Sequence, residues 1–288
     1  MICSMTGFAR RERTGPFGSL AWELRSVNHR YLEASLRLPE DFRVAEGEFR
    51  QAIAGTVRRG KLEAALYFRP AAAAAPALEL NELLLERLIE QAVRVRTRLG
   101  DAAGIDAVDL LRWPGVVRET ERDTTPQLAA AHELLAEALE ALAASRASEG
   151  GRIAELLLAR CDGVEALAGE VSARLPEVRV RIHAKLNERL SQVAAEPNRE
   201  RLEQEIVIAL QKMDVDEELD RLRSHVVEVR KVIAAGEPAG RRLDFLMQEF
   251  NREANTLSSK SQDVETTRAA VSMKVLIEQM REQVQNVE

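Results

Sequence analysis

The sequence has few of the residues on which disulfide-rich domains and zinc sites depend. It contains two cysteines and four histidines among 288 residues. Cys3 and Cys161 form no CxxC pair, so neither a zinc finger nor a disulfide framework is supported. The sequence also lacks a P-loop, a GxGxxG loop, an HExxH motif and a GxSxG motif, which excludes the enzyme classes that carry those signatures.

Aromatic residues and long apolar runs are scarce as well. Aromatics make up 4% of the chain, and no apolar run reaches the roughly 18 residues that a membrane-spanning helix needs. The N-terminus shows no hydrophobic segment of the signal-peptide kind. These absences predict a soluble cytoplasmic protein without a membrane partner. Alanine, leucine, glutamate and arginine dominate instead, which is typical of a largely helical protein.

The chain has no overall excess of positive charge. It carries 41 basic and 47 acidic side chains, for a net charge of −6, which argues against binding nucleic acid through overall charge. Residues 1–70 nevertheless hold 12 basic and 8 acidic side chains, so this segment has a net charge of +4 and the remainder −10. The asymmetry indicates either a basic N-terminal module on an acidic helical body or ordinary surface variation.

The apolar pattern predicts an α+β fold: a small N-terminal antiparallel sheet with a covering helix, followed by a long all-helical region ending in a helical hairpin. Residues 20–24 and 32–38 alternate between apolar and polar positions, as half-buried strands do. The short polar break between them suggests an antiparallel hairpin. Residues 42–57 have helical spacing, residues 62–68 alternate again, and residues 1–9 are a further expected strand.

Three regions are expected along the chain. Residues 1–70 form the basic α+β module, residues 71–196 a helical middle and assembly region, and residues 197–288 a C-terminal helical domain with a candidate metal or catalytic site. A run of alanines between prolines at 70–76 predicts the connector. Gly, Glu and Pro at 236–240 predict a turn that reverses the chain. Helical spacing recurs over residues 79–99, 126–148, 150–174, 177–194, 198–235, 241–257 and 263–286.

One group of polar residues lies at the predicted hairpin break. Arg25, Asn28, His29 and Arg30 together offer guanidinium, amide and imidazole groups on a short turn. Such groups bind phosphate and sugar oxygens. A solvated turn without a ligand is the alternative.

A second group lies in a predicted helix. Glu218, Arg221 and His225 follow one another at offsets of three, four and seven, which brings them to neighbouring positions on one helix face. A carboxylate and an imidazole in this arrangement could share a divalent metal or act as an acid/base pair. A salt-bridged helix start explains the same residues without any ligand.

The third group follows the predicted turn at 236–240. Glu249 and Glu253 lie one helical turn apart and repel each other by a few tenths of a kcal/mol, which an exposed helix tolerates. If the turn folds this helix back onto the preceding one, both carboxylates approach Glu218 and His225, together with Arg221 and Arg252. Oxygen ligands with one imidazole suit Mg²⁺ or Mn²⁺ better than a structural zinc ion.

Four blocks of this sequence resemble the bacterial YicC/YloC family: MICSMTGFAR at 1–10, WELRSVNHRYL at 22–32, the segment 240–260, and REQVQNVE at 281–288. The blocks occur in the family's order, whereas residues 71–196 are undistinctive. Ala9 is a departure, because the family more often has glycine there. The resemblance implies a cytoplasmic, divalent-metal-dependent endoribonuclease that acts on single-stranded RNA in RNA turnover. It also implies a homo-oligomer, a hexamer with a central channel.

If the chain is such an RNA-cleaving enzyme, the three polar groups described above take the following expected roles, with His225 serving as a metal ligand or as the general base. The expected catalytic residues are His225, Glu249, Glu253 and Arg252. The expected ligands of Mg²⁺ or Mn²⁺ are Glu218, Glu249 and Glu253. The expected RNA-binding residues are Arg10, Arg25, Asn28, His29, Arg30, Arg221 and Lys260. Water and the RNA 2′-hydroxyl both remain open as the attacking group. The competing hypothesis is a non-catalytic oligomeric RNA-binding or assembly protein, whose polar blocks form interfaces.

Overall fold

The computed structural model describes residues 2–71, 78–99, 106–119, 124–193 and 214–288. Most of the predicted connector at 70–76, and the first part of the helix predicted over 198–235, lie outside these ranges. Within them, no helix is both long enough and apolar enough to cross a membrane.

The N-terminal part contains a four-stranded mixed sheet in the order β1-β2-β4-β3. Its strands are β1 (Gly7–Gly15), β2 (Gly18–Val27), β3 (Leu32–Arg37) and β4 (Gly60–Pro70). Strand β2 pairs antiparallel with both β1 and β4, whereas β3 runs parallel to β4. The predicted α+β class is therefore confirmed, but the sheet is not purely antiparallel.

The hairpin predicted across residues 28–30 is wrong, because β4 lies between β2 and β3. The tight hairpin joins β1 and β2 instead and closes at Gly18, whose φ is +117°. A Cβ there would lie 2.0 Å from the carbonyl oxygen of Arg69, so only glycine fits. A 3₁₀ helix (Glu40–Ala45) and α1 (Glu46–Thr56) connect β3 to β4. A connection that contains a helix allows the two strands to be parallel.

The buried face of the sheet follows the predicted alternation. Leu20, Trp22 and Leu24 are fully buried, and Phe49 of α1 packs on them in the same core. The Trp22 indole N–H donates to the carbonyl oxygen of Ala131 at 2.9 Å, which ties the sheet to the long helix α4 (Thr125–Val193).

Helix α4 is one continuous element where three helices were predicted, over 126–148, 150–174 and 177–194. The helix does not end at Gly150. Because glycine has no Cβ, the N-terminal segment can approach the helix here, where a Cβ would lie 2.1 Å from the Ile2 carbonyl oxygen. The helix also continues through Pro176. The nearby Leu175 is buried in the C-terminal core, and Val178 is buried as well. This packing supports the helix despite the lost backbone hydrogen bond.

A small substructure separates the sheet from α4 in the sequence. Strands β5 (Leu78–Leu80) and β6 (Val117–Glu119) pair antiparallel, and α2 (Glu82–Leu99) and α3 (Ala107–Leu111) lie between them in the chain. Helix α2 matches the predicted helix over 79–99 after its first three residues.

The C-terminal part is a bundle of three helices packed on residues 153–175 of α4. These helices are α5 (Asp216–Ala235), α6 (Gly240–Lys260) and α7 (Val264–Val284). The turn between α5 and α6 contains Gly236 at φ +71°, and the ion pairs Glu218–Lys260 and Glu228–Arg242 run in opposite chain order. The two helices are therefore antiparallel, and the predicted chain reversal is confirmed.

Candidate metal centre

The antiparallel pair α5 and α6 brings three candidate residues together. One ligand atom from each of His225, Glu249 and Glu253 lies within 4.8 Å of the other two. His225 comes from the middle of α5, and the two carboxylates come from successive turns of α6. The convergence expected from the turn is therefore present.

Burial differs sharply among the three residues. The Glu253 side chain is 4% exposed, whereas that of Glu249 is 27% exposed. The His225 ring packs edge-on against Phe250, with centroids 5.5 Å apart. Its Nε2 atom is buried and has no hydrogen-bond partner in the described structure. A buried imidazole nitrogen without a partner, beside two carboxylates, is available to a ligand.

Two arginines lie beside the carboxylates. Arg221 Nη1 donates to Glu253 Oε1 at 3.3 Å, while its Nη2 contacts Glu217 on the same helix. The hydrogen bond to Glu253 is the main reason why the pKa of the Arg221 guanidinium is raised. The exposed Arg252 approaches Glu249 at 3.9 Å, a weak surface pair.

Glu218 is separate from this cluster. Its Oε1 accepts a hydrogen bond from Lys260 Nζ at 2.8 Å, and the same ammonium donates to the Asp214 carbonyl oxygen at 2.9 Å. Glu218 precedes His225 by seven residues, which is about 10.5 Å along a helix axis. This spacing does not favour Glu218 as a ligand of the ion that His225 would contact, so His225 is the better third ligand. Lys260, expected to bind RNA, pairs with the buried Glu218.

The N-terminal candidates lie on the surface of the sheet module. Arg10 pairs with Glu12 at 3.3 Å, and Arg25 is exposed on β2 in register with Phe8 of β1 and Glu63 of β4. Neither guanidinium is buried, so both are accessible to a phosphate.

The loop after β2 contacts the end of α7. Asn28 Nδ2 donates to the Gln285 carbonyl oxygen at 2.6 Å, and His29 Nδ1 lies 3.0 Å from the Tyr31 carbonyl oxygen. The Arg30 guanidinium lies over the Tyr31 ring, 5.3 Å from its centroid. Over the described ranges, the hydrogen bonds and ion pairs of this loop do not reach the three clustered residues.

Comparison with known proteins identifies the family. A family model described as "Endoribonuclease YicC-like, N-terminal region" matches residues 2–155, and one described as "Endoribonuclease YicC-like, C-terminal" matches residues 171–288. The chain belongs to the YicC-like endoribonuclease family. The resemblance found in the sequence is therefore confirmed, and so is the enzyme class that it implied.

Two YicC-like relatives align along their whole length. A protein of Haemophilus influenzae named "Probable endoribonuclease YicC" is 40% identical over 292 aligned positions, which cover 100% of both chains. A protein of Clostridioides difficile with the same name is 30% identical over 293 positions, again with complete coverage of both chains.

Two residues at this site were not predicted from the sequence. Phe250 is a buried apolar residue of α6, and it packs against the His225 ring. Glu217 was not singled out, although it is the second partner of Arg221. The i,i+4 spacing of Glu217 and Arg221 was a usable signal. The contact with Phe250 depends on the rotation of α5 against α6, which periodicity does not specify.

The cluster suits a divalent ion chemically. It offers one imidazole and two carboxylates. Mn²⁺ accepts this mixed set of nitrogen and oxygen ligands, and Mg²⁺ can bind the carboxylate oxygens. Two adjacent carboxylates also repel until a cation lies between them.

Proposed function

We propose that this YicC-like chain is a cytoplasmic, divalent-metal-dependent endoribonuclease that cleaves single-stranded RNA in RNA turnover. Family membership supports the endoribonuclease activity. The observation that supports metal dependence is the approach of His225, Glu249 and Glu253 to within 4.8 Å of one another.

In this proposal, His225, Glu249 and Glu253 hold Mg²⁺ or Mn²⁺. Held there, a divalent ion would supply Lewis-acid stabilisation of the phosphate and would lower the pKa of a water molecule. His225 takes the place of Glu218 as the third metal ligand. It therefore acts as a ligand rather than as a general base. Arg252, whose side chain is 69% exposed, can turn toward the phosphate and offset its developing charge.

RNA binding is assigned to residues 1–70. Arg10, Arg25 and Arg30 are exposed and offer guanidinium groups to the RNA backbone, while Asn28 and His29 lie in the same loop as Arg30. Residues 71–196 are assigned to assembly and residues 197–288 to the metal site.

A homo-oligomer, with a hexamer as the specific form, belongs to the same proposal. Its basis is the family resemblance, and the described surface also exposes large apolar side chains that contacts between copies would cover. They include Tyr31, Tyr67, Val180, Phe245, Val264 and Val275.

The test is cleavage of a labelled single-stranded RNA across a Mn²⁺ titration. Glu249→Gln should reduce the cleavage rate by roughly 100-fold and raise the metal midpoint, because it removes a ligand charge while keeping the side-chain shape. Glu253→Gln should do the same. Glu278→Gln is the matched control: this exposed carboxylate also has an arginine three residues later, with Glu278–Arg281 at 3.6 Å.

Excess chelator should abolish cleavage by the parental protein, and the end groups of the fragments identify the attacking group. If Glu249→Gln and Glu253→Gln cut RNA at the parental rate and metal midpoint, the cluster is not the metal site. If the purified protein retains RNA without cutting it at any metal concentration, the non-catalytic RNA-binding hypothesis replaces the proposal.

A further inference from the structure

Arg221 lies between two carboxylates of very different exposure. Its Nη1 is 3.3 Å from Oε1 of Glu253, whose side chain is 4% exposed. Its Nη2 contacts Glu217, whose side chain is 70% exposed and which lies one turn earlier on α5. The Arg221 side chain is itself 49% exposed, so its guanidinium has one partner in the interior and one at the surface.

Glu253 needs a positive charge close to it, because a buried carboxylate without a counter-ion is costly. When no metal is bound, Arg221 supplies that charge. A divalent ion held by His225, Glu249 and Glu253 would supply it instead, and it would repel a guanidinium this close to the same carboxylate. The ion and Arg221 therefore compete for Glu253.

Lys260, in the same helix pair, is a cation that we do not expect to exchange with a metal ion. Its ammonium donates to Glu218 at 2.8 Å and to the Asp214 carbonyl oxygen at 2.9 Å. Glu218 is 6% exposed and is outside the His225 cluster, so its need for Lys260 does not change when a metal binds. Of the two cations, Arg221 is the one whose partner changes.

We propose that Arg221 is an exchangeable counter-ion of the metal site. It neutralises Glu253 before metal binds, and a divalent ion releases it to contact a phosphate of single-stranded RNA. This inference rests on the proposed metal site and adds an order of events, in which the metal binds before Arg221 reaches the RNA. Metal should therefore increase RNA affinity through this side chain.

The first measurement is Mn²⁺ binding without RNA, with free Mn²⁺ determined by electron paramagnetic resonance. Arg221→Gln should bind Mn²⁺ roughly three to ten times more tightly than the parental protein, because it removes a repelling charge. Arg221→Lys keeps the charge and should stay near the parental affinity. Arg223→Gln is the matched control, since this arginine is on the same helix but pairs with Asp220 at 3.0 Å.

The second measurement is binding of a fluorescent single-stranded RNA, recorded by stopped-flow anisotropy before cleavage accumulates. In chelator, Arg223→Gln should bind RNA as the parental protein does, and the affinity of Arg221→Gln in chelator is the reference for its own gain. In saturating Mn²⁺, the parental protein and Arg223→Gln should gain affinity, and Arg221→Gln should gain less.

The outcomes separate this inference from the proposed function. If the parental protein and Glu249→Gln bind Mn²⁺ with equal affinity, the proposed metal site is wrong, and the exchange of Arg221 that rests on it is overturned as well. If the parental protein binds Mn²⁺ at the cluster but Arg221→Gln binds it equally or more weakly, the metal site stands and the exchange is overturned. An equal gain in RNA affinity for Arg221→Gln and the parental protein also overturns the exchange.

Discussion

Two carboxylates of the C-terminal bundle are almost equally buried but have opposite surroundings. The Asp263 side chain is 5% exposed and accepts hydrogen bonds from Arg174 at 2.8 Å, Arg181 at 3.2 Å and both the backbone N–H and the hydroxyl of Thr266. The Glu253 side chain is 4% exposed and, among the residues that the structure describes, accepts one side-chain hydrogen bond, from Arg221 at 3.3 Å. Burial alone therefore does not distinguish the two groups.

Their partners show what each group does. Asp263 caps the N-terminus of α7 and ties it to α4 through Arg174, whose hydrogen bond is the main cause that lowers the pKa of Asp263 to about 2. Glu253 lies beside a second carboxylate, Glu249, and beside a histidine nitrogen without a partner. A fully bonded buried charge contributes to stability, whereas an incompletely bonded cluster is typical of a binding site.

The buried ion pair of Arg146 and Glu288 extends this comparison and should show the largest effect on stability. Arg146, 6% exposed, pairs with Glu288 at 2.6 Å and also donates to the Ser4 carbonyl oxygen at 2.6 Å, so it joins both chain ends to α4. Glu288→Gln removes the counter-charge of a buried arginine and should lower the free energy of unfolding by about 3 kcal/mol. Urea denaturation at pH 7 measures it.

The exposed Glu278→Gln is the control and should change stability by less than about 0.5 kcal/mol. A Glu288→Gln variant no less stable than this control would mean that the Arg146 pair behaves as a surface pair, despite its burial.

The second prediction concerns Asp263. Asp263→Asn keeps an N-cap side chain but removes the charge, and should lower the free energy of unfolding at pH 7 by about 1–2 kcal/mol. Because the folded-state pKa, about 2, is below the ordinary aspartate value of 3.8, this contribution is present above about pH 4 and is lost as the pH falls toward 2. Urea denaturation of the parental protein and Asp263→Asn between pH 7 and pH 2.5 measures the difference in their free energies of unfolding, which is called the gap below.

The gap between the two proteins should therefore narrow on acidification. A gap that is constant from pH 7 to pH 2.5, or one that widens at low pH, would contradict the assignment of Asp263 as an ionised structural carboxylate.

The fold could be predicted where the cause is local. Alternation identified the buried face of Leu20, Trp22 and Leu24, and the glycine and proline content of 236–240 identified the chain reversal. The partner of β3 and the continuity of α4 through Pro176 depend on contacts between distant segments. Period-two alternation shows which face of a strand is buried, but it does not show which strand pairs with it. Helix-breaking residues are tolerated where tertiary packing outweighs their cost.

The candidate site divides in the same way. Spacing on each helix, plus the turn, was sufficient to bring His225, Glu249 and Glu253 together. The separation of Glu218 from them depends on its pairing with Lys260, 42 residues later in the chain. The depth at which Glu253 is buried depends on the whole bundle, so a helix flank that looked exposed in the sequence contains a buried charge.

The last and smallest effect is expected at Glu253 itself. In chelator, Glu253→Gln should raise the free energy of unfolding, by less than about 1 kcal/mol. The change removes a buried charge and its repulsion with Glu249, while Arg221 keeps Glu217 as a partner. Urea denaturation in chelator measures this change.

The same denaturation with Mn²⁺ should give different free energies of unfolding for the two proteins. At 100 times its dissociation constant, the ion should stabilise the parental protein by about 2.7 kcal/mol and the variant by much less. If Glu253→Gln loses as much stability in chelator as Asp263→Asn does at pH 7, Glu253 is a structural carboxylate and the contrast between the two is wrong.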